Sequence, residues 1–263
     1  MIRKVKRTEE FEITLQIKAD GFIRPPRDAQ RNWILNRALK EFGDDLEAMN
    51  KLSGTFVPGD DSGDSTYLAN EKLSNDEIME DWQIPVMKAM ALQVTESHGD
   101  VLEIGFGRGV ASDFIQEFGV RSHTVVECNA SVIGRFEQWK NSRPDQDIRL
   151  IQGKWQDTEN QFGQYDGVFF HTYPLNEEEF IKYVFRSTTF AEHFFDTASA
   201  HLRPGGIFSY LTNEIDSLSR GHQRELLKRF SSFKAQVLTG LEVPHNTRDK
   251  QWARQIVIVA AEK

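Results

Sequence analysis

Residues 167–175, GVFFHTYPL, run a stretch that reads as a buried strand straight into an imidazole, two hydroxyls and a proline. A surface turn has no need of that chemistry, whereas the rim of an active site does. Histidine ordinarily titrates near ~6.5, so His171 is suited to take a proton from a bound acceptor near neutrality. The bland alternatives are that its ring packs, or that its backbone carbonyl makes the contact. Tyr173 either orients an acceptor through its hydroxyl or walls a pocket. Thr172 adds a second hydroxyl, and Pro174 stiffens the corner.

A second motif lies upstream. VLEIGFGRGVAS places Gly105, Gly107 and Gly109 between a predicted strand and a predicted helix. Glycines there let the chain turn sharply and let a ligand lie on the backbone, at the carboxyl end of a parallel strand. A dinucleotide fingerprint would need glycine or alanine at position 110, where this chain has Val110, so a nicotinamide oxidoreductase is disfavoured. Glu103 precedes the first glycine by two positions and suits a ligand bearing cationic groups, or is a solvated strand residue. Glu127 ends the next predicted strand, where a carboxylate can accept hydrogen bonds from both hydroxyls of a ribose. After the third strand, GKWQD puts Trp155, Gln156 and Asp157 where an adenine would lie, and Gln156 or Asp157 could accept from its amino group. Trp155 either offers its face to the base or anchors the core.

These pieces resemble a known group. The G-x-G-x-G spacing is similar to that of seven-stranded methyltransferases, which bind S-adenosylmethionine. IMEDWQIPVMKAMA, VLEIGFG, VVECN, GKWQD, YDGVFFHTYPL and LRPGG, spread over residues 78–212, resemble guanidinoacetate N-methyltransferase and its relatives. The resemblance implies cofactor contacts at Met87, Glu103, Gly105, Gly107, Gly109, Glu127, Cys128, Asn129, Trp155, Gln156 and His171. It implies that Trp82, Gln83, His171, Thr172 and Tyr173 border the acceptor. Two positions depart from the family: His171 stands where it has an aspartate, and Gln83 where it has a glutamate. A guanidinium is protonated far above neutral pH, so losing both acids counts against guanidinoacetate itself. The expectation is therefore S-adenosylmethionine-dependent N-methylation of a small polar acceptor, an amine, imidazole or amino-acid-like molecule, with His171 as base. Methylation of a hydroxyl or carboxylate, guanidino methylation as in the resembled family, and a catalytically silent nucleoside-binding module remain alternatives.

Positioning these residues requires alternating strands and helices. DVLEIG, HTVVEC, IRLIQG, YDGVFF, GIFSYLT, AQVLTGLEV and QIVIVAAE read as strands, dense in Val, Ile and Phe. VASDFIQEFG, ASVIGRFEQWKN and the long NEEEFIKYVFRSTTFAEHFFDTASAHL carry the three- and four-residue spacings of amphipathic helices. LRPGG reads as a tight turn before the fifth strand. The fold class is α/β: a Rossmann-like seven-stranded methyltransferase sandwich, mostly parallel, with its last strand antiparallel at an edge. That domain is expected over residues 67–263, and residues 1–66 form an N-terminal extension. The extension contains a strand and a long helix capped by Asp28, with a stripe of Leu35, Leu39, Phe42, Leu46 and Met49. An acidic linker follows. The extension could serve as a dimerisation element, or as a lid bringing Arg24, Arg27 or Arg31 over the pocket.

Bulk properties set the remaining bounds. The net charge of −8 over 263 residues argues against a general affinity for nucleic acid or anionic membranes. No apolar run is long enough to span a bilayer. The single cysteine, Cys128, cannot form an internal disulfide, which fits the cytoplasm. His98, His123, His193, His201, His222 and His245 lack metal-ligand spacing, so no metal is expected. The expected partner is a small-molecule acceptor, and a homodimer is left open.

Overall fold

A computed structural model of the chain describes residues 72, 74–175, 179, 181–185, 187–212, 214, 217–245 and 256–263. All fall within the unit Gly54–Lys263. The extension expected over residues 1–66, with its helix, stripe, linker and lid, lies outside the described residues.

Seven strands form one sheet: β1 (Asp100–Ile104), β2 (Ser122–Glu127), β3 (Ile148–Gln152), β4 (Tyr165–Phe170), β5 (Leu202–Thr212), β6 (Ser232–Leu238) and β7 (Ile256–Glu262). Their order is β3-β2-β1-β4-β5-β7-β6. β1 to β5 run parallel, and β7 is antiparallel to both β5 and β6. The helices are α1 (Asn75–Ile78), α2 (Ile84–Val94), α3 (Val110–Glu117), α4 (Ala130–Asn141), α5 (Trp155–Thr158), α6 (Phe195–His201) and α7 (Arg220–Leu227).

Strand residues alternate between the two faces, so each face has its own core. Val101, Val125 and Phe169 pack with Met87, Met90 and Val94 of α2, Ile115 of α3 and Phe136 of α4. Leu102, Ile104, Val126, Val168 and Phe170 pack with Phe195 and Ala198 of α6 and Leu226 of α7. Two close backbone approaches depend on glycine. A Cβ on Gly167 would lie 2.0 Å from the Val94 carbonyl oxygen, and one on Gly99 2.0 Å from the Asp166 carboxylate.

Three expectations are corrected. β7 runs antiparallel as expected, but it sits between β5 and β6 rather than at an edge. Its residues are buried from Ile256 to Ala261 and need neighbours on both sides, whereas β6 is mostly exposed and tolerates the edge. The long helix expected over 176–202 is interrupted: a π-helical turn at Ile181–Phe185, bends at 187–189 and a 3₁₀ turn at Phe190–Phe194 precede α6. Thr189 is extended (φ −148°), and the Glu192 carboxylate accepts the Thr188 N–H at 2.6 Å, which starts a new helical segment. The LRPGG turn is absorbed into β5, where Leu202 pairs with Tyr165 and Ile207 with Gly167 across a register shift.

Candidate active site

The strand order reverses direction between β1 and β4, and a crevice forms at the carboxyl ends of strands beside such a point. Here an open cleft of about 400 Å³ is lined by Ile104, Gly105, Glu127, Cys128, Lys154, Trp155, Gln156, Thr172, Tyr173, Glu179, Phe190 and His193, among others.

Gly105 opens the turn between β1 and α3. Its φ of +89° favours glycine, and a Cβ would stand 2.6 Å from the carbonyl oxygen of His171. The end of β4 thus passes directly over the glycine loop, with the His171 N–H donating to the Ile104 carbonyl at 3.3 Å. Gly109, also left-handed, is the N-cap of α3.

Glu127 is buried and anchored. Its Oε1 accepts the N–H groups of Cys128 and Asn129, both at 2.8 Å, and its Oε2 accepts that of Phe106 at 2.9 Å. A carboxylate has about four acceptor positions, so capacity remains on Oε2 for a ligand hydroxyl. Asn129 caps α4 by accepting from the N–H groups of Ser131 and Val132. Burial, with Glu127 adding its negative charge, pushes the Cys128 thiol up to about 12, so it is no nucleophile at neutral pH.

Glu103, Met87, Trp82, Gln83 and His171 are not among the residues of the cleft wall. Glu103 is buried beneath the loop, its Oε2 accepting from Ser112 Oγ (2.5 Å) and His123 Nε2 (2.9 Å), while its Oε1 has no hydrogen-bond partner. Met87 is packed in the α2 core. Trp82 is buried too, its indole N–H donating to Glu80 at 2.6 Å. Gln83 is 1% exposed; its Oε1 accepts the Glu80 N–H at 3.1 Å and its Nε2 has no partner. This segment leans on the loop, since Arg108 of the glycine turn donates to the Met79 carbonyl at 2.7 Å and Ile78 covers Gly107. His171 is half-buried, 5.7 Å from the Tyr173 ring between centroids, and burial pushes its pKa down to about 4. Tyr173 is 42% exposed at the rim.

The structure therefore gathers Gly105, Glu127, Cys128, Trp155, Gln156, Thr172 and Tyr173 into one cleft. It adds Lys154, Glu179, Phe190 and His193, which the sequence reading did not assign to the site. Lys154 lay within a quoted motif, but nothing local distinguished His193.

A family model described as guanidinoacetate N-methyltransferase matches residues 64–251. The chain belongs to this family. The family is one of S-adenosylmethionine-dependent methyltransferases, and the donor set fits that cofactor: a bare glycine turn, a buried carboxylate with acceptor capacity to spare and an aromatic wall. Protein arginine N-methyltransferase 2 of Eremothecium gossypii is 30% identical over 167 residues, covering 55% of this chain and 37% of that protein. Its namesake from Kluyveromyces lactis is 27% identical over 221 residues, covering 73% and 50%. The chain thus spans half or less of the length of these relatives. Among solved structures, the N-methyltransferase NodS of Bradyrhizobium japonicum in complex with S-adenosyl-L-homocysteine is 14% identical with a TM-score of 0.47, covering 70% of this chain and 89% of that one. The fold assignment stands on the strand order.

The relatives overturn one expectation. They are named for protein arginine, so the small-molecule acceptor does not stand. The motifs at the glycine loop and strand ends carry little information about the size of the acceptor.

Proposed function

We propose that this chain transfers a methyl group from S-adenosylmethionine to a guanidino nitrogen of an arginine side chain in a protein. One observation carries the reading: a family named for guanidinoacetate and relatives named for protein arginine share a single acceptor group, the guanidino nitrogen. The cleft also ends at the exposed Tyr173, an approach that suits a group borne on a larger molecule.

When bound, the cofactor supplies an electrophilic methyl on a sulfonium that leaves readily. The residues of this chain hold and orient. Gly105 keeps the turn free of side chain, Glu127 Oε2 serves the ribose, and Trp155 walls the base. The unpartnered, buried Gln83 Nε2 and Glu103 Oε1 match in sign the carboxylate and the ammonium of the cofactor's amino-acid end. His171 is neutral at pH 7, so its ring does not repel a guanidinium and keeps a lone pair to receive the proton released as the new N–C bond forms. Glu179 adds to the wall a carboxylate that positions 83 and 171 do not supply.

The neutrality of Gln83 and His171 favours one second reading, an uncharged side-chain nitrogen such as an imidazole within a protein acceptor. Incubation with methyl-labelled cofactor and a panel of proteins, then hydrolysis and mass spectrometry, decides between them. Methylarginine is the expected product. Label on histidine would transfer the assignment to the second reading, and label on free guanidinoacetate but on no protein would defeat both.

A further inference from the structure

His193 takes part in none of these steps, yet it stands in the wall of the cleft. Its Nδ1–H donates to the carbonyl oxygen of Phe190. A carbonyl oxygen can only accept, so the tautomer is set: the proton lies on Nδ1 and the lone pair on Nε2. The ring is held in place by aromatic neighbours. Tyr183 stacks on it with centroids 4.1 Å apart, and Phe190, Trp155 and Phe170 lie at 4.8, 5.4 and 5.8 Å. Burial, opposed by the Phe190 hydrogen bond, pulls the imidazole down to about 4. At neutral pH, Nε2 is therefore a fixed acceptor, and among the described residues no polar atom is bonded to it.

The position of His193 indicates which part of the cofactor it meets. The inference rests on the cofactor reading above, in which Glu127 at the end of β2 meets the ribose and the base extends from there toward the loop after β3. That loop supplies Lys154, Trp155 and Gln156 to the same cleft, and His193 packs against Trp155. A neutral imidazole brings no counter-charge to the sulfonium or the ammonium, and the ring cluster around it offers flat faces on which an uncharged base can stack. The hydrogen-bond donor that adenine presents is its 6-amino group.

We propose that His193 Nε2 accepts a hydrogen bond from the 6-amino group of the cofactor's adenine and makes binding depend on that group. The inference holds whatever the methyl acceptor. Its test is calorimetric titration of the wild type, His193→Phe and His193→Gln with S-adenosylhomocysteine and with its purine analogue lacking the 6-amino group. Wild type should bind the analogue about tenfold more weakly, the scale of one lost hydrogen bond in a desolvated site. His193→Phe keeps an aromatic ring without an acceptor, so it should bind both ligands equally and about tenfold below the wild-type affinity for S-adenosylhomocysteine. His193→Gln, which retains an acceptor oxygen, should keep part of the preference. Equal binding of both ligands by wild type overturns the proposal, as does a His193→Phe protein that prefers the amino ligand by the wild-type factor. Should His193→Phe fail to fold, the same criteria apply to wild type and His193→Gln, and an unchanged affinity for S-adenosylhomocysteine in a His193→Ala protein would equally overturn it.

Discussion

The two ends of the sheet handle polar groups in opposite ways. At the amino end, Asp100 and Asp166 are saturated. Asp100 accepts from Arg121 Nε (2.8 Å), Ser122 Oγ (2.8 Å) and Arg203 (2.8 Å), and Asp166 Oδ2 accepts the Asp100 N–H (2.8 Å) and Arg203 (2.7 Å). At the carboxyl end, Gln83 Nε2 and Glu103 Oε1 are buried without partners, and His193 stands in the cleft wall. A polar group whose partners all lie within the protein has a structural role. One kept buried with capacity to spare is held for something that comes and goes. Ser209 Oγ in β5 is also buried without a partner and does not line the cleft, so the contrast points toward the site without defining it.

Substitutions at the two ends should therefore fail differently. The largest effect is expected at Glu127. Glu127→Ala should weaken S-adenosylhomocysteine about a hundredfold or more, since hydrogen bonds to a charged group contribute about 1.5–3 kcal/mol each. Titration calorimetry on protein shown to be folded by circular dichroism checks it, and an affinity within threefold of wild type would remove Glu127 from the site. Asp100→Ala should do the reverse. It leaves Arg121 and Arg203 with Asp166 as their remaining partner and should lower the urea midpoint modestly, while the folded fraction binds cofactor as wild type does. Urea unfolding measures the first part, and a loss of affinity in the folded protein would erase the contrast.

His171→Ala should lower turnover about tenfold with cofactor affinity unchanged, at the low end of what a positioned base contributes. Single-turnover assays with labelled cofactor read it, and unaltered turnover would return His171 to a packing role. The smallest effects concern pH. Arg121 above all, with Ser122 and Arg203, holds the Asp100 carboxylate well below its ordinary 3.8, so its stabilisation is present above about pH 4 and is lost as the pH falls further. The stability gap between wild type and Asp100→Asn should narrow below pH 4. His171 and His193 are lowered from 6.5 to about 4 by burial, so the unfolded chain binds their protons first and stability declines between those values. Thermal melts of His171→Asn should decline less than wild type between pH 7 and pH 5; parallel curves would mean that the ring is not desolvated.

Much of this was legible from residues alone. β1, β2, β4 and β7 stood out because strands buried on both faces must be apolar throughout, and the glycine triplet marked the turn because its left-handed φ values exclude other residues. The interrupted 176–202 segment was misread because its apolar spacing continues across Ser187, Thr188 and Thr189. Periodicity records which face is buried but not whether the axis is continuous. His193 was invisible for a related reason. Its neighbours Trp155, Phe170, Tyr183 and Phe190 are brought around it from separate stretches of the chain, and no local pattern announces such a meeting.

What the sequence determined by itself is the alternation of strand and helix, the left-handed glycine turn after β1, and an acid at the end of β2, because each is a local matter of side-chain size, charge and permitted backbone angles. Tertiary structure alone decided that β7 enters the sheet between β5 and β6, that the His171 carbonyl lies on Gly105, and which buried polar atoms are left without a partner. Those are outcomes of desolvation and contact between distant segments, and they exist only once the chain has closed around them.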